Sequence, residues 1–190
     1  EPIWPIEERP VPQSKIPGEQ LSPTQPFPTK PAPLSRLGYH EDDLIDFTPE
    51  LRAEALKMME QYHKGPMYTP IGEVGPGKRG TLIYPGYGGG ANWNAGAYDP
   101  ATHVLYVPIR HRPNAAGLAK GDPARTNNAY VQSGNHVLMG PEGLPMFKPP
   151  WSELIALDMD RGEQVWRVPV GPASDLVSSH PALQGLGLDF

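Results

Sequence analysis

The chain has 190 residues and a formal net charge of −5, and it contains 26 Pro, 21 Gly and no Cys. The 16 basic and 21 acidic residues form no blocks, so the charge pattern gives no footprint for nucleic acid, and the lack of cysteine excludes disulfides and thiolate metal sites. Pro and Gly together make up about a quarter of the chain, which predicts little helix and short strands joined by long ordered loops.

The first 38 residues hold ten prolines, and each proline favours extended backbone. Trp4, Phe27 and Leu34 are spaced through this stretch as apolar anchors, which a solvated linker does not need. We therefore predict an extended strap over residues 1–38 that lies across a larger surface. The alternative is a flexible proline-rich adaptor, which predicts that the same residues are mobile and sensitive to proteases.

One helix is predicted over residues 48–64. Thr48 is the expected N-cap, Pro49 takes the first helical position, and Gly65 with Pro66 ends the helix. Its apolar face, expected to pack against the strap, consists of Leu51, Ala55, Met58, Met59 and Tyr62. The acidic residues that precede the cap lack the spacing of a metal-binding loop, and a solvated lead-in to the helix is the favoured interpretation.

Residues 80–108 are the most informative stretch. Thr81–Tyr84 is a predicted strand, and residues 95–107 predict a β-hairpin that turns at Pro100. Between them lies a glycine-rich crossing over residues 86–93, which ends on Asn92 and Trp93. Consecutive glycines allow either a sharp turn or the close approach of a planar group, and the residues alone leave both interpretations open.

Residues 109–148 show little periodicity, and we predict a long loop there with two short strands, at residues 130–131 and 136–139. The basic run Arg110-His111-Arg112 is interpreted as a solvated end of a strand rather than an acid/base centre. The stretch contains no nucleophile elbow, P-loop or Rossmann fingerprint.

Residues 151–171 predict a second hairpin, with one strand over Ser152–Asp158, a turn over residues 159–162 and a return strand over residues 163–168. Within it, a pattern resembles the tryptophan-docking repeat of quinoprotein propeller blades, and it consists of Ala156, Asp158, Gly162, Trp166 and Gly171.

These two stretches together resemble the pyrroloquinoline-quinone-dependent dehydrogenases, specifically the glucose/quinate-type quinoproteins. The resemblance implies a mainly all-β fold: part of an eight-bladed quinoprotein β-propeller with long Pro/Gly-rich loops and one inserted α-helix. In that family the tryptophan of the repeat packs between blades, so Trp166 is expected to be a packing residue. Trp4 resembles the end of a preceding repeat, and Arg161 departs from the threonine usual at its position.

The resemblance also implies a cofactor site. Asn92, Trp93, Gly90 and Ala91 are expected to contact pyrroloquinoline quinone (PQQ), because amide and indole N–H groups can donate to its oxygens. The ligands of the Ca²⁺ ion and the catalytic base lie upstream of this stretch in the family. No residue of this chain is therefore assigned as catalytic or as a metal ligand.

The expected activity is oxidation of a sugar or polyol, with D-glucose as the default substrate and ubiquinone as the electron acceptor. An alcohol or quinate/shikimate dehydrogenase is the alternative within the family, and a non-catalytic propeller scaffold is the alternative outside it. The resemblance implies a periplasmic location with anchoring to the inner membrane through a preceding region. We also expect that this stretch belongs to the C-terminal half of a longer propeller, and that it is inactive without the rest of that chain.

Overall fold

A computed structural model describes residues 2–92 and 96–188. The described residues form short strands, mostly in hairpins, with one helix of three turns and a second of four residues. In chain order the elements are β1 (Ile6–Pro10), β2 (Thr24–Pro28), α1 (Pro49–Met59), β3 (Thr81–Ile83), β4 (Ala97–Asp99), β5 (Val104–Arg110), β6 (Asn114–Lys120), β7 (Tyr130–Val137), β8 (Ser152–Asp158), β9 (Glu163–Pro169) and α2 (Asp175–Ser178).

The strands form three antiparallel sheets. β1 pairs with β2 in a ribbon, β3, β6 and β7 form a three-stranded sheet in the order β3-β6-β7, and the third sheet has the order β4-β5-β8-β9. A four-stranded antiparallel sheet is the unit from which propeller blades are built. The mainly-β fold expected from the sequence is confirmed.

Both hairpins of the four-stranded sheet lie where the sequence predicts them. β4 and β5 turn through residues 100–103, with His103 at a positive φ of 55°, and β8 and β9 turn through residues 159–162. The alternating apolar residues of β8 place Ile155 and Leu157 in a small core with Ile109. The alternation of apolar residues and the turn residues were sufficient to predict both hairpins, because the two strands of each hairpin are adjacent in sequence.

Trp4 packs against the turn of the β8–β9 hairpin. Gly162 has a φ of +65°, and a Cβ built on it would lie 2.6 Å from the indole ring of Trp4. Only glycine suits a position that combines left-handed backbone with so close a neighbour. Trp166 lies on β9 opposite Ala156, and its ring centroid is 5.8 Å from that of Tyr106. The residue is 39% exposed.

The prediction of a long loop over residues 109–148 was wrong for β6, and the two short strands predicted at residues 130–131 and 136–139 lie largely within one longer strand, β7. β6 and β7 are paired strands of seven and eight residues, and β3 lies on the other side of β6. β6 has the sequence NAAGLAK and lacks the β-branched residues that mark most strands. Its small residues are required by packing instead, since Ala115 and Ala116 are fully buried and a Cβ on Gly117 would overlap the side chain of Val74.

The helix α1 begins as predicted but ends earlier than residue 64. The hydroxyl of Thr48 accepts a hydrogen bond from Leu51 N at 3.2 Å, whereas the last helical residue is Met59. Residues 61–63 leave the helix because their backbone groups bond to the chain around β3: Gln61 O accepts from Arg79 N, and His63 N donates to Gly80 O, both at 2.8 Å.

The expected packing of α1 on the strap was also wrong. The buried residues of the helix belong to the main core, which contains no residue from positions 1–38 among the described residues. Its members come from α1, β3, β6, α2 and the chain segments next to these elements: Leu44, Ile45, Leu51, Ala55, Met59, Tyr62, Leu82, Tyr84, Ala115, Leu138, Leu144, Met146, Phe147, Val177 and Leu183.

The proline-rich stretch is partly ordered as the β1–β2 ribbon, whose strands pair from Ile6 with Pro28 to Pro10 with Thr24. Its proline positions suit a two-stranded ribbon, where each strand has a free edge. Every residue of β1 is exposed. Leu34, by contrast, packs against the small core of the four-stranded sheet. Among the described residues, no helix has the length and apolar character needed to cross a bilayer.

Candidate functional site

The glycine-rich crossing forms a tight turn on the surface. Gly89 has a φ of +67°, and its N–H donates to Gly86 O at 2.8 Å. The side-chain amide of Asn92 donates to Gly88 O at 2.8 Å, so it braces the turn from within. Ala91 and Asn92 are exposed. Trp93 lies outside the described residues.

Two glycines of the crossing are required by the protein itself. A Cβ on Gly90 would lie 2.7 Å from the Cβ of Ser35, and one on Gly86 would overlap the backbone oxygen of Arg112. Gly88 is different, because only the Asn92 amide comes within 4 Å of its Cβ position. The sequence left a sharp turn and the close approach of a planar group as alternatives; the structure shows the turn, and the approach of a planar group stays a prediction.

Backbone hydrogen bonds join the crossing to the basic run after β5. Arg110 N donates to Gly90 O at 2.9 Å, and Gly86 N donates to Arg112 O at 3.1 Å. On its other side this run bonds to the chain before β8, since His111 N donates to Trp151 O at 2.8 Å. The basic run is therefore held between the glycine-rich crossing and the chain before β8.

His111 lies inside the protein, so its interpretation as part of a solvated strand end was wrong. The residue is 6% exposed, and its Nε2 lies 2.6 Å from a carboxylate oxygen of Glu153, itself 5% exposed. The other oxygen of Glu153 lies 3.1 Å from Nε of Arg167. Alternation along the strand explains the arrangement, because His111 points inward while Arg110 and Arg112 remain exposed.

The His111 imidazole is neutral in the fold. Burial lowers its pKa from the ordinary value of 6.5, although the hydrogen bond with Glu153 opposes this shift. Nε2 then carries the proton and donates to the carboxylate, so Nδ1 is an acceptor. Nδ1 is buried and has no hydrogen-bond partner among the described residues.

Tyr84 lies beside this cluster. Its ring meets the imidazole of His111 edge to face, with centroids 6.4 Å apart. Burial raises the pKa of its hydroxyl to about 12, although the charge of Arg36 opposes this shift. Tyr84 is therefore protonated at neutral pH and contributes no charge to the cluster.

An open cleft of about 850 Å³ lies next to the basic run, between residues 110–112 and the chain that follows β9. It is lined by Arg110, His111, Arg112, Pro145, Pro149, Pro150, Trp151, Ser152, Pro169, Val170, Gly171, Pro172, Ala173, Ser174 and Leu176. Its volume is within the range of small-molecule sites. The sequence signal that was missed is the i, i+2 spacing of two arginines at the end of a strand.

The PQQ implied by the resemblance is a planar tricarboxylate, and the crossing fits one wall of a site for such a group. At Gly88 the space beside the backbone is open except for the amide of Asn92, which could also donate to a cofactor oxygen. The hydrogen bond between Gly90 and Arg110 places the crossing next to the cleft that Arg110 and Arg112 line. Residues 88–92 contain no charged side chain of their own. A complete site for the cofactor needs further donors.

Among the described residues no group of three or more His, Asp or Glu side chains is arranged to hold a metal ion. The acidic residues before α1 pair with arginines instead: Asp43 lies 3.6 Å from Arg36, and Glu41 lies 3.8 Å from Arg52. These contacts agree with a structural lead-in to the helix.

The chain is similar in sequence to several dehydrogenases. The chain is 27% identical to quinoprotein glucose dehydrogenase A of Acinetobacter calcoaceticus, over 92% of this chain and 24% of that protein. It is 27% identical to the glycerol dehydrogenase large subunit of Gluconobacter thailandicus, over 91% of this chain and 26% of that protein. A quinate/shikimate dehydrogenase (quinone) of Acinetobacter baylyi is 27% identical over 53% of this chain and 15% of that protein.

The chain thus spans about a quarter of the length of the relatives that it matches most fully. Residues 1–188 match the family described as "PQQ: Glucose/ethanol/alcohol dehydrogenase, beta-propeller domain". The mainly-β architecture and the four-stranded antiparallel sheet agree with this match. The chain belongs to the PQQ glucose/ethanol/alcohol dehydrogenase β-propeller family.

Proposed function

We propose that the protein is part of a quinoprotein dehydrogenase that oxidises a sugar or polyol with PQQ and passes the electrons to a membrane quinone. The observation that carries this proposal is the family match over residues 1–188. The names of the relatives, which include glucose and glycerol dehydrogenases, support a polyhydroxylated substrate. D-Glucose is the first substrate to test, and ubiquinone is the proposed acceptor.

A second candidate is oxidation of a hydroxy acid such as quinate or shikimate. The observation that favours it is the similarity to a quinate/shikimate dehydrogenase over 53% of the chain. The basic residues of the cleft also suit an acidic substrate. A non-catalytic scaffold is disfavoured, because the family match is to dehydrogenases.

In this proposal the crossing forms one wall of the cofactor site. Asn92 and Trp93 contact the cofactor with their side chains, and Gly90 and Ala91 contact it through the main chain. Bound PQQ supplies the two-electron acceptor for oxidation of a hydroxyl-bearing carbon. The Ca²⁺ ligands and the base that removes the hydroxyl proton come from residues that precede this stretch. We also propose a periplasmic location at the inner membrane.

The test is titration of the full-length apoprotein with PQQ in the presence of Ca²⁺, followed by tryptophan fluorescence and by dye-coupled oxidation of glucose. Asn92→Ala and Trp93→Ala are each expected to weaken PQQ binding about ten-fold, which corresponds to the loss of one hydrogen bond to a charged group. Asn127→Ala is the matched control, because Asn127 is exposed on the loop between β6 and β7 and is not part of the crossing. Failure of the wild-type protein to bind PQQ at any concentration would remove the dehydrogenase assignment.

A further inference from the structure

The cleft beside the basic run carries an unbalanced positive charge. Two of its lining residues are arginines, and none is Asp or Glu. Both guanidinium groups belong to exposed residues, and neither forms an ion pair within residues 2–92 and 96–188. Asp175 lies between the lining residues Ser174 and Leu176 but is not itself part of the lining, and it belongs to an adjoining hollow that shares Pro172 and Ala173 with the cleft.

Glu153 does not supply the missing charge. Its carboxylate is buried behind His111 and is already paired with Arg167 at 3.1 Å. The neutral imidazole of His111 occupies its other oxygen at 2.6 Å. Arg110 and Arg112 therefore face the cleft as uncompensated cations, and the chemistry complementary to them is an anion.

The two arginines are also held in place before any ligand arrives. Their backbone is bonded to the glycine-rich crossing through Gly86 and Gly90 on one side. On the other side the intervening residue is bonded to Trp151 O at 2.8 Å. A fixed backbone lowers the entropic cost of aiming two long side chains at one ligand.

The remaining walls are largely apolar. Val170 is 51% exposed and Leu176 is 49% exposed, and both line the cleft with Trp151 and several prolines. Solvent-accessible apolar walls beside two cations suit a ligand with a carbon skeleton and an acidic group. A free inorganic ion would leave these walls in water.

From these observations we infer that the cleft binds the carboxylate of a small organic molecule, with Arg110 and Arg112 as its cationic contacts. Guanidinium groups bind carboxylates through paired N–H donors, which gives both affinity and orientation. The carboxylate has two possible sources: a hydroxy-acid substrate, or the quinone cofactor itself. The first source rests on the second candidate function above, and the second source rests on the proposed PQQ-dependent activity.

The experiment measures binding to the full-length apoprotein by isothermal titration calorimetry with two matched pairs of probes. D-Gluconate is compared with D-glucose, and PQQ is compared with its trimethyl ester. The proteins are the wild type, Arg110→Gln, Arg112→Gln and the charge-retaining Arg110→Lys. Arg125→Gln is the control, because Arg125 is exposed, unpaired among the described residues and distant in sequence from the cleft.

We expect the anionic member of at least one pair to bind about ten-fold or more tightly than its neutral partner. Each Arg→Gln change should remove most of that difference, Arg110→Lys should retain part of it, and Arg125→Gln should retain all of it. If gluconate binding weakens in the Arg→Gln variants, the cleft is a substrate subsite. If PQQ binding weakens in these variants, the cleft is a subsite for the carboxylates of the cofactor.

The inference is overturned if both anionic probes bind the Arg→Gln variants as tightly as the wild type, or if neither anion is preferred over its neutral partner. This result is distinct from failure of the proposed function. A protein that binds PQQ and oxidises glucose without dependence on the arginines keeps its function and loses this subsite. A protein that binds no PQQ but binds gluconate through the arginines keeps the subsite and loses the proposed cofactor.

Discussion

At the scale of residues, the buried cluster of His111, Glu153 and Arg167 is the feature with the largest electrostatic consequence. A buried carboxylate is tolerated only where charge and hydrogen bonds compensate it. Arg167 supplies the charge at 3.1 Å, and His111 supplies a hydrogen bond at 2.6 Å. The hydrogen bond of His111 to Glu153 anchors residues 110–112 on their buried side. The cluster therefore helps to position both exposed arginines, Arg110 and Arg112.

The lowered pKa of His111 predicts a specific dependence of stability on pH. Burial keeps the pKa of the folded imidazole below the ordinary value of 6.5, at which the unfolded chain takes up a proton. As the pH falls below that value, the unfolded state binds more protons than the folded state, so the free energy of unfolding decreases. The limiting slope for one proton is about 1.4 kcal/mol per pH unit.

Chemical denaturation between pH 7.5 and pH 5.5 measures this dependence. His111→Gln keeps a side chain that can donate to Glu153 and cannot titrate, so the decrease in stability with falling pH should become smaller. His40→Gln is the control, because His40 is exposed. An equal pH dependence in the wild type and His111→Gln would show that His111 does not stay neutral in the fold.

At the scale of elements, the contact between Trp4 and the β8–β9 turn joins the beginning of the chain to the four-stranded sheet. Lys30 adds to this joint, since its ammonium group donates to Arg161 O at 3.0 Å and lies 3.1 Å from Glu163. The exposed ion pair contributes little. The packing of the indole on Gly162 is the stronger part, because it buries apolar surface.

Gly162→Ala is expected to destabilise the protein through two effects. Left-handed backbone costs an alanine about 1 kcal/mol, and the new methyl group must displace Trp4, which adds a further ~1–2 kcal/mol. Gly77→Ala separates the two, because Gly77 has a φ of +75° and no atom within 4 Å of its Cβ position. Urea denaturation gives both free energies of unfolding, and tryptophan fluorescence reports the indole. Equal destabilisation by the two variants would mean that Trp4 moves aside at no cost.

At the scale of the whole molecule, residues 34–39 connect the two cores. Leu34 packs on the small core of the four-stranded sheet, and Tyr39 packs on the main core. Between them Arg36 donates to Lys148 O at 2.8 Å and to Pro149 O at 3.0 Å. The side chain of Arg36 is 17% exposed, so its hydrogen bonds compete little with water and join residues 34–39 to residues 148–149.

Arg36→Gln is expected to loosen this connection rather than unfold a single element. Loss of hydrogen bonds from a charged donor costs about 1.5–3 kcal/mol each at most. Amide hydrogen exchange followed by mass spectrometry should show faster exchange at Gly38 and Ile45, whose amides bond to Tyr84 O and Met146 O. Arg9→Gln is the matched control, because Arg9 is exposed and its contacts with Glu7 and with the ring of Phe27 stay within the β1–β2 ribbon. Unchanged exchange at Gly38 would show that apolar contacts alone join the cores.

Elements with local signals could be predicted from the amino-acid sequence. The β4–β5 and β8–β9 hairpins and the start of α1 follow from alternation, turn residues and a cap, and each depends on neighbours within about ten positions. The glycine-rich crossing was equally visible, because three consecutive glycines have few structural uses. The family resemblance also followed from these stretches, and the match over residues 1–188 confirms it.

Features that depend on partners far away in the sequence could not be predicted and became visible in the folded chain. β6 is a strand because β3 and β7 flank it, and α1 ends at Met59 because residues 61–63 bond to the chain around β3. The sequence predicts that His111, between two arginines, is exposed. It is buried instead, because Glu153, 42 positions away, accepts a hydrogen bond from its imidazole. Burial and charge pairing are properties of the packed molecule, and a local pattern cannot contain them.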